Sequence, residues 1–97
     1  MIWGISAALF EATEIDPRNA CYVNDNLADY SVPVCADIRD IEVLLVPERD
    51  DYVSSLGIKG LGELGNVGTA PALVNAVYHA TGVRIRQLPV RLEKLMV

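Results

Sequence analysis

Five of the chain's seven glycines crowd into twelve positions, at 57, 60, 62, 65 and 68. Glycine loses the most backbone freedom on folding and weakens both helices and strands from within. The segment from Gly57 to Gly68 is therefore expected to be neither a regular helix nor a strand. It divides the 97 residues into a long mixed region before it and a helical region after it. Thr69 is placed to cap a second helix, with Pro71 tolerated in the first turn. Leu73, Ala76, Val77 and Ala80 make the expected buried stripe of that helix, and Gly82 its stop.

The region before the glycines opens on an apolar run, Ile2 to Phe10. Ile5, Ala8, Leu9 and Ala12 share one helical face at i, i+3, i+4 and i+7, which predicts a first helix ending near Thr13. A secretory signal is not expected, since no basic residues precede the run and Glu11 and Glu14 follow it. Asp16-Pro17 is a turn signal. Cys21-Tyr22-Val23 reads as a short strand, and Tyr30 to Val34 as an extended edge interrupted by Pro33. Glu42-Val43-Leu44-Leu45-Val46 is the best candidate for a buried strand, followed by a charged, solvated loop from Pro47 to Asp51. Val83-Arg84-Ile85-Arg86 alternates like a strand with both arginines on one face, and Arg91 to Met96 is amphipathic. The expected fold class is α+β in a single domain, residues 1–97. Two main helices pack on a small mixed or antiparallel sheet, with the glycine-rich loop before the second helix.

Charge and composition exclude more than they identify. Eight Lys and Arg against thirteen Asp and Glu give a formal net charge of −5, and the only basic run is Arg84, Arg86, Arg91 and Lys94, so no nucleic-acid partner is expected. No apolar stretch approaches the roughly 20 residues of a membrane span, and no membrane partner is expected. Cys21 and Cys35 are too few for a disulfide scaffold or an all-protein zinc or iron–sulfur site. Two free, partly buried thiols are expected, with a disulfide as the alternative. Trp3 reads as packing, and His79 lies off the stripe of its helix. Arg84 and Arg86 read as a solvated face or as partners of acidic neighbours.

Gly60, Gly62 and Gly65 match the dinucleotide fingerprint G-x-G-x-x-G letter for letter. The fingerprint requires a strand running into its first glycine and a helix opening inside it. Ser54-Ser55-Leu56-Gly57 is no such strand, so that reading is rejected. What remains is one carboxylate, Glu63, flanked by glycines and by Leu61 and Leu64. Apolar surroundings disfavour a charged carboxylate and move it toward the range useful to a general base. The competing reading is an ordinary solvated loop residue.

Lys59-Gly60-Leu61-Gly62-Glu63, followed by Ala72 to Pro89, resembles the C-terminal end of the molybdenum-binding subunit of the xanthine dehydrogenase and aldehyde oxidase family. The form is nearest the bacterial aldehyde-oxidoreductase branch. Gly4 to Glu11, Leu27 to Pro33 and Asp37 to Ile41 also match, in the family's order. The resemblance implies a molybdopterin cofactor in the complete subunit, with the cytosine dinucleotide form open. It makes Glu63 the catalytic base that deprotonates a molybdenum-bound hydroxide. Gly60 and Gly62 become close-approach positions for the cofactor, and Lys59, in the same motif, is implied as a cofactor-binding residue with them. The implied partners are the remainder of the molybdenum-binding subunit and iron–sulfur and flavin subunits, in the cytoplasm or, for the parent enzyme, the periplasm.

The same resemblance sets limits. Complete subunits of this family are several hundred residues longer. The glutamine-containing cofactor motif expected before the first helix, and the other cofactor loops, are not in this sequence. The expectation is an inactive fragment of an oxidoreductase that binds no cofactor alone and forms a homo-oligomer through Trp3, Ile5, Leu9 and Phe10. A truncated product, a dissected fragment and a split subunit stay open. So does the alternative of a stand-alone interaction or homo-oligomeric module that keeps the fold without catalysis.

Overall fold

A computed structural model describes residues 1–96. Element order is α1 (Ile2–Leu9), β1 (Ile15–Asp16), β2 (Cys21–Tyr22), α2 (Leu64–Val67), α3 (Thr69–Thr81) and a 3-10 turn at Leu92–Lys94. Two helices of eight and thirteen residues and a two-stranded antiparallel sheet make an α+β architecture.

α1 ends at Leu9, one turn short of the expected Thr13. The N–H groups of Phe10 and Glu11 both reach the Ser6 carbonyl, at 2.8 and 3.0 Å, which tightens the last turn and closes the helix. Its inner face is built from small residues: Gly4, Ser6 and Ala8 are buried. Gly4 is needed as glycine, because a Cβ there would stand 2.6 Å from the Thr69 Cβ and 2.8 Å from Asn66 Oδ1. That close approach lets α1 cross the junction of α2 and α3.

The helices pack on one another, and α1 also holds the C-terminal segment. The Val90 N–H donates to the Ala8 carbonyl at 2.7 Å. Ile85 and Val90 join Ala8 as the buried apolar core. Alternation in Val83–Arg86 survives as burial without a strand: Ile85 is buried, Val83 half-buried and both arginines exposed. Among the described residues Arg84 finds no acidic partner. Its guanidinium lies 3.7 Å over the Tyr78 ring, and Nη1 donates to Asn75 Oδ1 at 2.7 Å.

The hairpin pairs Ile15 with Tyr22 and Asp16 with Cys21. Asp16 builds its turn by accepting from the Arg18 N–H and the Asn19 amide, bonds that hold its carboxyl below the ordinary value of 3.8. Asn24 ties the hairpin to the chain leaving α1, accepting from the Glu14 N–H and donating to the Ala12 carbonyl. Both cysteines are free, and both are exposed rather than partly buried.

Other expectations fail as well. Tyr30–Val34 and Glu42–Val46 form no strand, and Val43 to Val46 are 63 to 85% exposed. A strand exists only with a neighbour to bond, and among the described residues none is bonded to these. The glycine segment contains a short helix, α2, made possible because Gly65 sits inside a single turn closed by Glu63. Thr69 does not cap α3. Gly68 occupies that position, and Thr69 Oγ1 donates back to the Gly65 carbonyl at 3.2 Å. Gly82 ends α3 in the left-handed region, φ +74°, as expected. The stripe of α3 is only partly covered: Leu73 and Val77 are half-buried, Ala76 and Ala80 exposed.

Candidate functional site

Glu63 stands at the entry to α2, with φ −91° and ψ 12°. Its carbonyl accepts the N–H groups of Asn66 and Val67 at 2.8 and 3.1 Å, which fixes the backbone of the turn. Its carboxylate makes no hydrogen bond or ion pair among the described residues, and it is exposed. Leu61 and Leu64 flank it but are themselves about 70% exposed. The apolar surroundings expected from the sequence are therefore not assembled by this chain's own neighbours.

Gly60 and Gly62 lie immediately before it. A Cβ at either position would meet nothing within 4 Å, so open space borders the backbone there. Gly62 has φ +27°, a conformation that side chains rarely adopt, which makes glycine the residue the turn into Glu63 requires. Among the described residues no strand runs into the first glycine of the G-x-G-x-x-G match, which removes the dinucleotide reading even though a helix does open inside it.

Lys59 turns away to a partner that the sequence did not announce. Its Nζ lies 3.3 Å from Asp50 and 3.5 Å from Glu48. These pairs join the charged loop to the glycine loop, so Pro47–Asp51 is not simply solvated. Being half exposed, they contribute little stability, but they set where the loop rests. Sequence reasoning also missed Asn66. Its Oδ1 is buried beside Gly4, and neither it nor the buried Ser6 Oγ has a hydrogen-bond partner among the described residues. Only the crossing of two elements distant in sequence brings these groups inside.

Next to the glycine turn runs an open apolar groove of about 550 Å³, lined by Met1, Ile5, Leu64, Thr69, Leu73 and Ala76 among others. A second concavity, about 430 Å³, sits at the hairpin beside Tyr22, Leu27 and Tyr30. Tyr30 donates its hydroxyl to Glu11 Oε2 at 2.9 Å. That bond, with some burial and the Glu11 charge, raises the phenol above its ordinary value of 10.0.

No cluster of three His, Cys, Asp or Glu side chains is present among the described residues. A metal held by protein donors alone does not fit this donor set. A metal carried by an organic group does fit along one face. Bare backbone at Gly60 and Gly62 leaves room for a bulky group, and the Glu63 carboxylate is unengaged beside it. The other faces are not enclosed by the described residues.

No family model matches the chain. Individual relatives do. Over 96 residues, 99% of this chain, it is 45% identical to the aldehyde oxidoreductase molybdenum-binding subunit of Escherichia coli K12. It is 40% identical over 95% of its length to the xanthine dehydrogenase molybdenum-binding subunit of Escherichia coli O157:H7. It is 38% identical over 93% of its length to a membrane-bound aldehyde dehydrogenase of Gluconacetobacter polyoxogenes whose name specifies pyrroloquinoline quinone. The chain spans only 11 to 13% of the length of these relatives. Over nearly its whole length, then, the chain is similar to the C-terminal segment of molybdenum-binding subunits of the xanthine dehydrogenase and aldehyde oxidase family.

Proposed function

We propose that this chain is the segment of a molybdenum hydroxylase that carries the catalytic base, Glu63, and that it is inactive alone. One observation supports the reading above others: an unengaged carboxylate follows two glycines whose Cβ positions face open space, in a chain 45% identical to a molybdenum-binding subunit.

In the complete subunit, Gly60 and Gly62 border a molybdopterin cofactor, which the cytosine dinucleotide form also satisfies, and Lys59 holds the loop through Asp50 and Glu48. When bound, that group supplies the redox chemistry on an aldehyde or an N-heterocycle. Glu63 supplies proton transfer: one carboxylate oxygen takes the proton of the attacking nucleophile. A carboxylate in water is a poor base for this task, and desolvation improves it. Since Leu61 and Leu64 are exposed here, the desolvation comes from the parts of the subunit that cover the loop. Iron–sulfur and flavin subunits complete electron transfer, and the enzyme works in the cytoplasm or the periplasm. On its own the chain binds no cofactor and self-associates through the face that carries Trp3.

The test is a graft. This chain replaces the 96 matching residues of the Escherichia coli aldehyde oxidoreductase subunit. Aldehyde oxidation and stoichiometric molybdenum in the graft are expected, and neither in the chain by itself. About one molybdenum per chain in the free 97-residue protein would refute the reading.

A further inference from the structure

The segment Glu42–Val46 has the composition of a strand but forms none in this chain. Its backbone has no hydrogen-bond partner among the described residues, and backbone–backbone bonds are lacking throughout positions 38–53. In a strand, Val43 and Leu45 would share one face and Leu44 and Val46 the other, so both faces would be apolar. All four are 63 to 85% exposed. Water can satisfy the peptide groups, but it leaves four large apolar side chains uncovered. Strands with two apolar faces belong inside sheets covered on both sides.

The rest of the molecule shows the same deficit. The chain exposes 8306 Å², whereas a folded monomer of 10.6 kDa exposes about 5,500 Å². The excess, about 2,800 Å², is on the scale of one side of a large obligate interface. Its radius of gyration is 17.9 Å, against about 12.5 Å for a compact domain of this length. Large exposed apolar residues occur from Met1 to Met96, over a molecule 55 Å long. A second copy covers one patch related by a two-fold axis. Covering surface spread along the whole chain calls for a larger body that wraps it.

We propose that Val43–Val46 completes a β-sheet of the remainder of the molybdenum-binding subunit, entering as a strand whose two faces that body covers. The partner's chemistry is specified by the strand: an open sheet edge, flanked above and below by apolar side chains. Pro47 has no N–H to donate and ends the pairing, and Glu48 and Asp50 then return the chain to Lys59 and the glycine loop. The pairing thus anchors one end of the loop that carries Glu63. This inference rests on the reading of the chain as a segment of such a subunit.

Hydrogen exchange tests it. In the chain alone, the amides of Val43 to Val46 exchange at the rate of an unstructured peptide. In the graft described above, they exchange at least a hundredfold more slowly. Protection already present in the chain alone overturns the proposal, because the strand then has a partner in its own chain or in a second copy. A graft that holds molybdenum while these amides exchange freely also overturns it, and leaves the reading of the segment standing. A graft without molybdenum or fold removes that reading, and the strand's partner with it. Proline variants give an independent arm. Neighbouring N–H groups of a strand point to opposite edges, so Leu44→Pro and Leu45→Pro cannot both be harmless. Each is expected to leave the melting of the chain alone unchanged, and at least one to lower molybdenum loading of the graft tenfold or more. Leu44→Ile and Leu45→Ile are expected to load as wild type. Full loading by both proline variants overturns the proposal.

Discussion

Glu63 illustrates how much a single residue depends on what lies around it. Its position after Gly60 and Gly62 leaves the carboxylate unengaged, and its exposure keeps it in water. In the grafted subunit, Glu63→Gln is expected to cut turnover by about 10²–10⁴-fold, the usual cost of losing a general base, while molybdenum content stays at the level of the parent. Steady-state rates and metal analysis on the same preparation decide this; a variant keeping half its rate removes Glu63 from the chemistry. Gly4 gives a second prediction. A methyl group there meets the Thr69 Cβ at 2.6 Å, backbone-anchored on both sides, so α1 must lift. Gly4→Ala is expected to destabilise the chain by about 1–3 kcal/mol in urea unfolding, the usual cost of overpacking. Tyr30 gives a pH prediction. Its bond to Glu11 favours the protonated phenol, so its folded value lies above the ordinary 10.0. The stability this contributes is complete below pH 10 and is lost as pH rises through the folded value. Tyr30→Phe is therefore expected to melt below wild type at pH 8, with the difference shrinking above pH 10.

Among the elements, α3 is fixed at its end by local chemistry and along its length by contact. Gly82 adopts φ +74°, and its N–H bonds the Tyr78 carbonyl at 2.8 Å. Gly82→Ala is expected to cost about 1 kcal/mol and to fray the last turn, read as lost ellipticity at 222 nm and an earlier urea midpoint. The face of α3 toward α1 was only partly readable. Leu73 and Val77 were named and are half-buried, but Ala70 and Val74, not Ala76 and Ala80, complete the covered row. The helical period was correct. The rotation of the stripe was set by where Gly4 allows α1 to cross, which periodicity does not report. α2 escaped notice because four residues in one turn leave no periodic signal among five glycines.

At the scale of the molecule, burial is the deciding quantity. Among the described residues the buried apolar side chains are Ala8, Ile85, Pro89 and Val90, a core far too small for a chain in which 52% of residues are hydrophobic. Trp3 is 63% exposed near the start of α1. Apolar surface of this extent finds a partner. The chain alone is expected to scatter light as a dimer or larger at high micromolar concentration. Trp3→Glu is expected to shift it toward the mass of one chain, whereas Phe10, half-buried against its own chain, is the lesser contributor. A constant mass of one chain across the concentration range excludes self-association.

The residues themselves carried the α+β class, the existence of both main helices, the Gly82 stop, the turn at Asp16-Pro17 and the motif Lys59–Glu63. Each depends on interactions within a few residues: a helical repeat, a positive φ, an Asx bond, a glycine beside a carboxylate. Tertiary structure alone decided what depends on distant neighbours. It paired Lys59 with Asp50 and Glu48, buried Asn66 against Gly4, and turned Arg84 onto Tyr78. It also left Val43–Val46 bare, because strand propensity states a capacity to pair, and pairing takes a second strand that this chain does not bring to it.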